Sequence, residues 1–418
     1  MYKALTALIL SVSFPVFAET AISHIVVNQR WPWSEKVDVD FVLSGETNDV
    51  EVTATWDAHP APYRLGTLFS VAPGQRRLTW DPASSPFRGQ TLTGFTVSVS
   101  NAAASAHNYI VVDLVNGGYE FMAEPPSCGW TDEHKSSKMV FRRIPAGTYT
   151  LGEEKETFEH LGQSSPDYYA DIQNRRQVTF TSDFYVGIYK YTKAQHACIT
   201  TGTAGSDFQP QGELSYDDLR GAKNADATLN VDWPLTAYKV APESIVAKLR
   251  AKAGVGLVVD LCQEDQWEVA ARAGTATFWP TGGTTGETFA THTNQVNGFV
   301  AWYGSTGSTE QSTVGTKPDN GWGLYDVIGL AGEWTLDATA GTTTIPARYK
   351  LPEAYTDPVG GSGCARRVLR SASGNGAATG LNELLPCRRQ IADPSWQSYS
   401  TRFCIHLKPL GSLTFEGL

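Results

Sequence analysis

The stretch Gly323-Leu-Tyr-Asp-Val-Ile-Gly-Leu-Ala-Gly-Glu-Trp334 decides the fold of this 418-residue chain. Its frequent glycines indicate a turn-rich loop. The loop carries two acidic side chains, Asp326 and Glu333, beside the large aromatic side chain of Trp334. Such a composition is common among loops, and it becomes specific only when it is combined with a second block that precedes it in the chain.

The second block is Leu261-Cys-Gln-Glu-Asp-Gln-Trp-Glu-Val-Ala-Ala-Arg-Ala-Gly274. It resembles the helical Leu-Pro-Thr-Glu-Ala-Glu-Trp-Glu-Tyr-Ala-Ala-Arg block of the formylglycine-generating enzyme family, also called the sulfatase-modifying factor family. The two blocks occur here in the family's order. Together they make residues 138–408 resemble a domain of this family.

Other segments extend the resemblance over the same range. The family's opening strand and glycine-rich turn are similar to residues 139–152, and its second paired strand is similar to residues 178–189. Degraded forms of its Arg-Gly-Gly-Ser, Cys-Arg and Gly-Phe-Arg blocks stand at residues 367–373, 387–388 and 401–403. The resemblance implies a C-type-lectin-like α+β fold with little regular secondary structure, followed by a tail at residues 409–418.

The N-terminal part of the chain has a different pattern. Residues 1–18 combine the basic Lys3, a short apolar core and a small-residue end, which is typical of a secretory signal peptide. We therefore expect an exported protein, whether periplasmic, cell-surface or secreted. Apolar residues alternate in short runs within residues 19–114, which predicts an all-β, immunoglobulin-like sandwich domain. Residues 115–137 contain paired glycines and prolines and are predicted to be a linker.

Composition argues against several classes of function. A net charge of −10 and a pI near 5.3 argue against a nucleic-acid partner, which needs clustered Lys and Arg side chains. No segment after residue 18 is apolar for long enough to span a bilayer. The six cysteines and eight histidines lack the spacing of a zinc site. In an exported chain the cysteines permit disulfides, and the sequence leaves their pairing open.

The family resemblance implies a structural calcium ion at the first block. Its ligands would be the side chain of Asp326 and the backbone carbonyls of Val327, Gly329 and Ala331. Calcium prefers oxygen ligands, and a glycine-containing loop can direct several carbonyls toward one point. The alternative is that the Asp326 carboxylate caps its own loop through hydrogen bonds from backbone amides.

The resemblance also locates the family's catalytic centre, a copper(I) ion held by two cysteines just after the Arg-Gly-Gly-Ser block. Residues 373–386 contain no cysteine, so a copper cofactor is not expected. Cys387 falls in the later Cys-Arg block, and the helix position that pairs with it in some members is occupied here by Ala271. A site built from Cys387 and Cys404, brought together by the fold, remains an open alternative.

Several charged and aromatic residues of the two blocks are retained, and other family positions are changed. Gly332, Gly374 and Cys404 replace the family's residues at three positions. An architectural role is expected for the retained set, because a buried charge without a partner would be costly. This set consists of Trp267, Glu268, Arg272, Glu333 and Trp334.

The resulting hypothesis is an exported, non-catalytic binding protein for a protein or carbohydrate ligand. Its binding surface would be residues 371–402, where the family's active-site groove forms, with the candidate contacts Asn382, Arg388, Trp396 and Tyr399. Relatives in diversity-generating retroelements vary this region, and a near-copy of the DNA for residues 370–405 beside a reverse-transcriptase gene would identify such a case. The alternative function is that of an enzyme, either a formylglycine-generating oxidase acting on a sulfatase cysteine or a related metal-dependent oxygenase.

Overall fold

The computed structural model describes a large part of the chain, which divides into two compact units between Ala104 and Ser105. The described residues are 20–30, 33–82, 85, 87–102, 104–153, 175–222, 233–234, 238–254, 257–277, 279–280, 313–339, 354–358, 366–371 and 385–407. In these ranges no helix is long and apolar enough to cross a membrane.

The first unit is built from strands, as predicted. They are β1 (Ala21–Gln29), β2 (Val37–Ser44), β3 (Asn48–Trp56), β4 (His59–Val71), β5 (Gly74–Trp80) and β6 (Thr96–Ala102). They form two antiparallel sheets of three strands, in the orders β1-β2-β5 and β4-β3-β6. Val39 of β2, Val52 of β3 and Trp80 of β5 belong to one buried cluster, so the alternating apolar residues of both sheets form a common core.

The boundary between the units lies earlier than the sequence pattern predicted. β7 (Tyr109–Asp113) pairs with β9 (Lys138–Ile144) in the second unit, although the prediction assigned it to the sandwich domain. β8 (Tyr119–Met122) lies inside the predicted linker and pairs with β7. Alternation marks a strand but does not reveal which sheet the strand joins, because the pairing partner lies elsewhere in the chain.

The second unit is also rich in strands and contains few helices. Its largest sheet has the order β13-β18-β12-β9-β7-β8, and two smaller sheets have the orders β10-β11-β15 and β14-β16-β17. The remaining strands are β10 (Gly147–Leu151), β11 (Arg176–Phe180), β12 (Phe184–Gly187), β13 (Val258–Leu261), β14 (Glu333–Thr339), β15 (Ala354–Thr356), β16 (Arg366–Arg370), β17 (Gln390–Ala392) and β18 (Phe403–His406).

The described residues of this unit contain four α-helices: α1 (Lys193–Thr201), α2 (Tyr216–Arg220), α3 (Ile245–Ala253) and α4 (Glu264–Arg272). Apolar residues on one face, Ile245, Val246 and Leu249, mark α3 in the sequence, and the block at residues 261–274 marks α4, whereas no such apolar pattern marks the other two helices. A signal for α1 is present in the sequence, because Thr192 and Gln195 form a capping box at its start. All nine residues of α4 are buried, including its four charged side chains, so this helix places four charges in the core of the unit.

Candidate functional site

The charged side chains of α4 form a buried network with arginines from other strands. The Glu268 carboxylate accepts hydrogen bonds from the Gly152 amide at 2.8 Å, from Arg272 Nε at 2.9 Å and from the Arg370 guanidinium at 3.2 Å. Arg272 also bonds Glu153 at 3.0 Å. Burial raises the pKa of Glu268, but the guanidinium groups of Arg272 and Arg370 outweigh it and hold the pKa below its ordinary value. The carboxylate is therefore ionised at neutral pH.

The same helix makes two more ion pairs from its first turn. Arg389 donates to both carboxylate oxygens of Glu264, at 2.5 and 2.9 Å, and Arg176 pairs with Asp265. Arg389 and Glu264 are almost wholly buried. These bonds join α4 to the segments around residues 153, 176, 370 and 389. The network stabilises the architecture of the unit, which agrees with the role expected for Glu268 and Arg272.

A second buried network surrounds Glu333, near the end of the block at residues 323–334. Its carboxylate accepts hydrogen bonds from Trp267 Nε1 at 3.0 Å and from Arg402 Nε at 2.9 Å, and it pairs with Lys190. Arg402 also donates to the carbonyls of Tyr325 at 3.0 Å and Asp326 at 3.3 Å. Burial raises the pKa of Glu333, but the charges of Arg402 and Lys190 outweigh it and lower the pKa below its ordinary value.

Asp326 has an unusual environment. Its backbone lies in the left-handed region, with φ of 51°, and its side chain is buried. Oδ2 accepts a hydrogen bond from the Gly315 amide at 2.7 Å, whereas Oδ1 has no hydrogen-bond partner among the described residues. Burial raises the pKa of Asp326. Gly315 has φ of 69°, and a Cβ atom there would lie 2.6 Å from the Tyr189 ring, so only glycine suits this position.

The structure places the other predicted calcium ligands on the same loop, but gives two of their carbonyls protein partners. The Gly329 carbonyl accepts a hydrogen bond from Ser371 Oγ at 3.1 Å and another from the Ala331 amide at 2.8 Å. The Ala331 carbonyl accepts a hydrogen bond from Lys190 Nζ at 2.9 Å. Val327 packs its side chain into the core. A calcium ion at this point would compete with these bonds.

Two of the predicted ligand contacts share one surface loop. Trp396 is 52% exposed, and the Arg366 guanidinium lies 5.6 Å from the centroid of its ring. Tyr399 is partly buried and meets the Trp334 ring edge-on at 5.4 Å. Arg388 is partly buried and precedes β17, whereas this loop follows that strand. Asn382 lies outside the described residues.

The second unit brings together a different pair of cysteines from the alternative raised by the sequence, and both are free thiols. The thiol of Cys404 is in hydrogen-bond contact with Cys262, whereas Cys387 lies near Arg272 and Glu153. Burial raises the pKa of both Cys404 and Cys387 well above the ordinary value. Copper(I) binds the thiolate form, which this environment disfavours. Within the described ranges, no cluster of three or more His, Cys, Asp and Glu side chains could hold a metal ion.

Sequence reasoning missed two central residues of the Glu333 network, Lys190 and Arg402. A signal for Lys190 was available, because a lysine in the mostly apolar run of residues 184–191 requires a buried partner. Arg402 belongs to the degraded Gly-Phe-Arg block, where the replacement of the family's arginine by Cys404 was the more conspicuous change.

Comparison with known proteins agrees with the two sequence blocks. None of the curated proteins compared with the chain matches it. A family model described as the sulfatase-modifying factor enzyme 1-like domain matches residues 130–394, which is more than half of the chain. The chain therefore belongs to the sulfatase-modifying factor family, with a strand-rich unit preceding the family domain.

Proposed function

We propose that this protein is an exported, non-catalytic binding protein whose sulfatase-modifying factor domain presents a C-terminal loop to a protein or carbohydrate ligand. The N-terminal signal pattern supports export. The absence of cysteines from residues 373–386 supports the loss of copper chemistry. The proposal includes an immunoglobulin-like sandwich for the first unit and the C-type-lectin-like α+β fold implied by the family for the second.

The exposure of Trp396 is the observation that carries the binding role. In the described part of the second unit it is the one aromatic side chain that is exposed. A tryptophan ring in water leaves a large apolar area that a sugar ring or a peptide side chain can cover. Tryptophan and arginine also supply much of the contact energy in binding sites, and Arg366 lies over this ring.

The loop around Trp396 combines a fixed base with an exposed tip. Asp393 accepts hydrogen bonds from the amide and hydroxyl of Ser395, at 3.1 and 2.7 Å. At the other end, Ser400 exchanges backbone hydrogen bonds with Gly332 and Trp334, at 2.9 and 3.0 Å. Residues 395–398 are exposed, whereas residues 400–406 are buried. Side chains at the tip can therefore vary without changing the scaffold, as a retroelement-diversified surface requires.

Trp396→Ala is expected to weaken ligand binding by about tenfold or more, a loss of roughly 1.4 kcal/mol. The full mature protein would be screened on a glycan array and against a displayed peptide library. The affinity of each binder would then be measured for wild type and variant. Trp33→Ala is the matched control, because Trp33 is an exposed tryptophan of the first unit. Ligands whose affinity falls in Trp33→Ala and is unchanged in Trp396→Ala would contradict the proposed surface.

No copper-dependent conversion of a cysteine-containing sulfatase peptide to formylglycine is expected from the purified protein. The reason is that residues 373–386 contain no cysteine and that burial disfavours the Cys404 thiolate. The test incubates reduced protein with copper(I), dioxygen and peptide, and measures the peptide mass. Turnover that disappears in Cys262→Ala or Cys404→Ala would favour the oxidase instead, because the thiol pair would then be supplying the copper site.

A further inference from the structure

Lys190 is a buried cation whose partners belong to the loop that the family resemblance assigns to calcium. Its side chain has no exposed surface. The ammonium group donates a hydrogen bond to the Ala331 carbonyl at 2.9 Å and pairs with the Glu333 carboxylate. The Ala331 carbonyl is one of the predicted calcium ligands. The Lys190 ammonium therefore already binds two oxygen groups of this loop, the Ala331 carbonyl and the Glu333 carboxylate.

The charges around the loop are balanced without a metal ion. Lys190 and Arg402 are positive, and they face two carboxylates, those of Asp326 and Glu333. The Lys190 ammonium lies against the Ala331 carbonyl and the Glu333 carboxylate, two oxygen acceptors that a charged donor suits. Adding a divalent ion to this neutral group would leave an excess positive charge in the protein interior, which is strongly unfavourable. The residues present therefore do not fit a calcium ion.

We propose that the Lys190 ammonium is the resident cation of the loop at residues 326–333 and takes the structural place of calcium in this protein. The tethered charge holds the Ala331 carbonyl and the Glu333 carboxylate at one point, so the domain keeps its stability in the absence of calcium. Asp326 Oδ1, which has no hydrogen-bond partner in the described part of the chain, is then a carboxylate oxygen left over from a ligand set that this chain no longer uses.

The proposal is tested by comparing thermal unfolding of the full protein in a chelator and in about 10 mM calcium, above the usual Kd range of protein calcium sites. Wild type is expected to show the same Tm in both conditions. Lys190→Glu changes the charge of the group from zero to −2, which a calcium ion would neutralise. Its Tm is expected to rise by roughly 3 °C or more with calcium.

The control is Lys193→Glu, which makes the same charge change at a lysine whose side chain is 42% exposed and pairs with Asp207 at 3.4 Å. It is expected to show no calcium response. A wild-type Tm that rises with calcium and loses the rise in Asp326→Asn would overturn the proposal. A folded Lys190→Glu that ignores calcium would also overturn it.

A second variant covers the case in which Lys190→Glu does not fold. Lys190→Gln keeps a hydrogen-bond donor for Ala331 and gives the group a charge of −1. A calcium-dependent rise in its Tm that is absent from wild type supports the proposal, and a folded variant with no rise contradicts it. Because these measurements follow stability, they are independent of whether the Trp396 surface binds a ligand.

Discussion

Glu268→Ala is expected to lower the free energy of unfolding of the second unit by about 3–5 kcal/mol. The substitution leaves the guanidinium groups of Arg272 and Arg370 buried with too few carboxylates. It also removes the acceptor of the Gly152 amide, which lies 2.8 Å from the Glu268 carboxylate. A buried charge that loses its partner keeps its full desolvation cost. Calorimetric unfolding of the full protein measures the effect on the transition of this unit.

Two further substitutions separate the causes of that loss. Glu133→Ala breaks the ion pair between the exposed Glu133 and the partly buried Lys138, 3.3 Å apart, and is expected to change stability by less than about 1 kcal/mol. Glu268→Gln keeps the shape of the side chain and removes only its charge, so its loss is expected to lie between the other two. If Glu268→Ala were as mild as Glu133→Ala, the architectural role of the α4 network would be wrong.

Acidification is expected to destabilise the second unit because His406 is buried in its neutral form. Burial lowers the pKa of His406 to about 4, from an ordinary value of 6.5. Between pH 6.5 and 4 the unfolded state binds a proton that the folded state does not. The contribution of neutral His406 to the free energy of unfolding is therefore fully present above pH 6.5. It is lost progressively as the pH falls from 6.5 through 4. The two pKa values correspond to a total loss of about 3 kcal/mol.

The experiment compares wild type with His406→Gln by denaturant unfolding across this pH range. His406 Nε2 lies 3.0 Å from the Leu261 carbonyl, and the nearby charged groups are Asp260, Arg250 and Arg220. The variant is expected to lose the part of the pH dependence that His406 contributes, since it has no proton to gain at residue 406, and to keep the part from His134 and His196, whose pKa values burial also lowers. Glu268 and Glu333 have pKa values below 4.5, so their contribution is lost only at lower pH. If the free energy of unfolding depended on pH equally in wild type and His406→Gln, the assignment to His406 would be wrong.

The sequence predicted the elements that local patterns encode. The alternating apolar residues of β2 and β3 and the apolar faces of α3 and α4 are recognisable from their spacing alone. The family domain followed from two short blocks. Each of these signals lies within one segment of the chain, where side-chain spacing reveals which face is buried.

The contacts that build the site join distant parts of the chain and were therefore hidden. Lys190 and Glu333 are 143 residues apart, and Glu333 and Arg402 are 69 apart. A single sequence shows that these charges exist but not which of them meet. The same limit explains the cysteines, for which the sequence left a site of Cys387 with Cys404 open as an alternative, whereas the fold places Cys262 beside Cys404.

The position of β18 has a consequence for how the domain is made. This strand, at residues 403–406, hydrogen-bonds to β13 on one side and to β12 on the other, although both are synthesised long before it. Until β18 emerges from the ribosome, β12 has an open edge and β13 has no partner in the sheet. Such non-local pairing slows folding and leaves strand edges available for aggregation. A nascent chain that stalls before residue 403 therefore lacks the strand that joins β12 to β13 in this sheet.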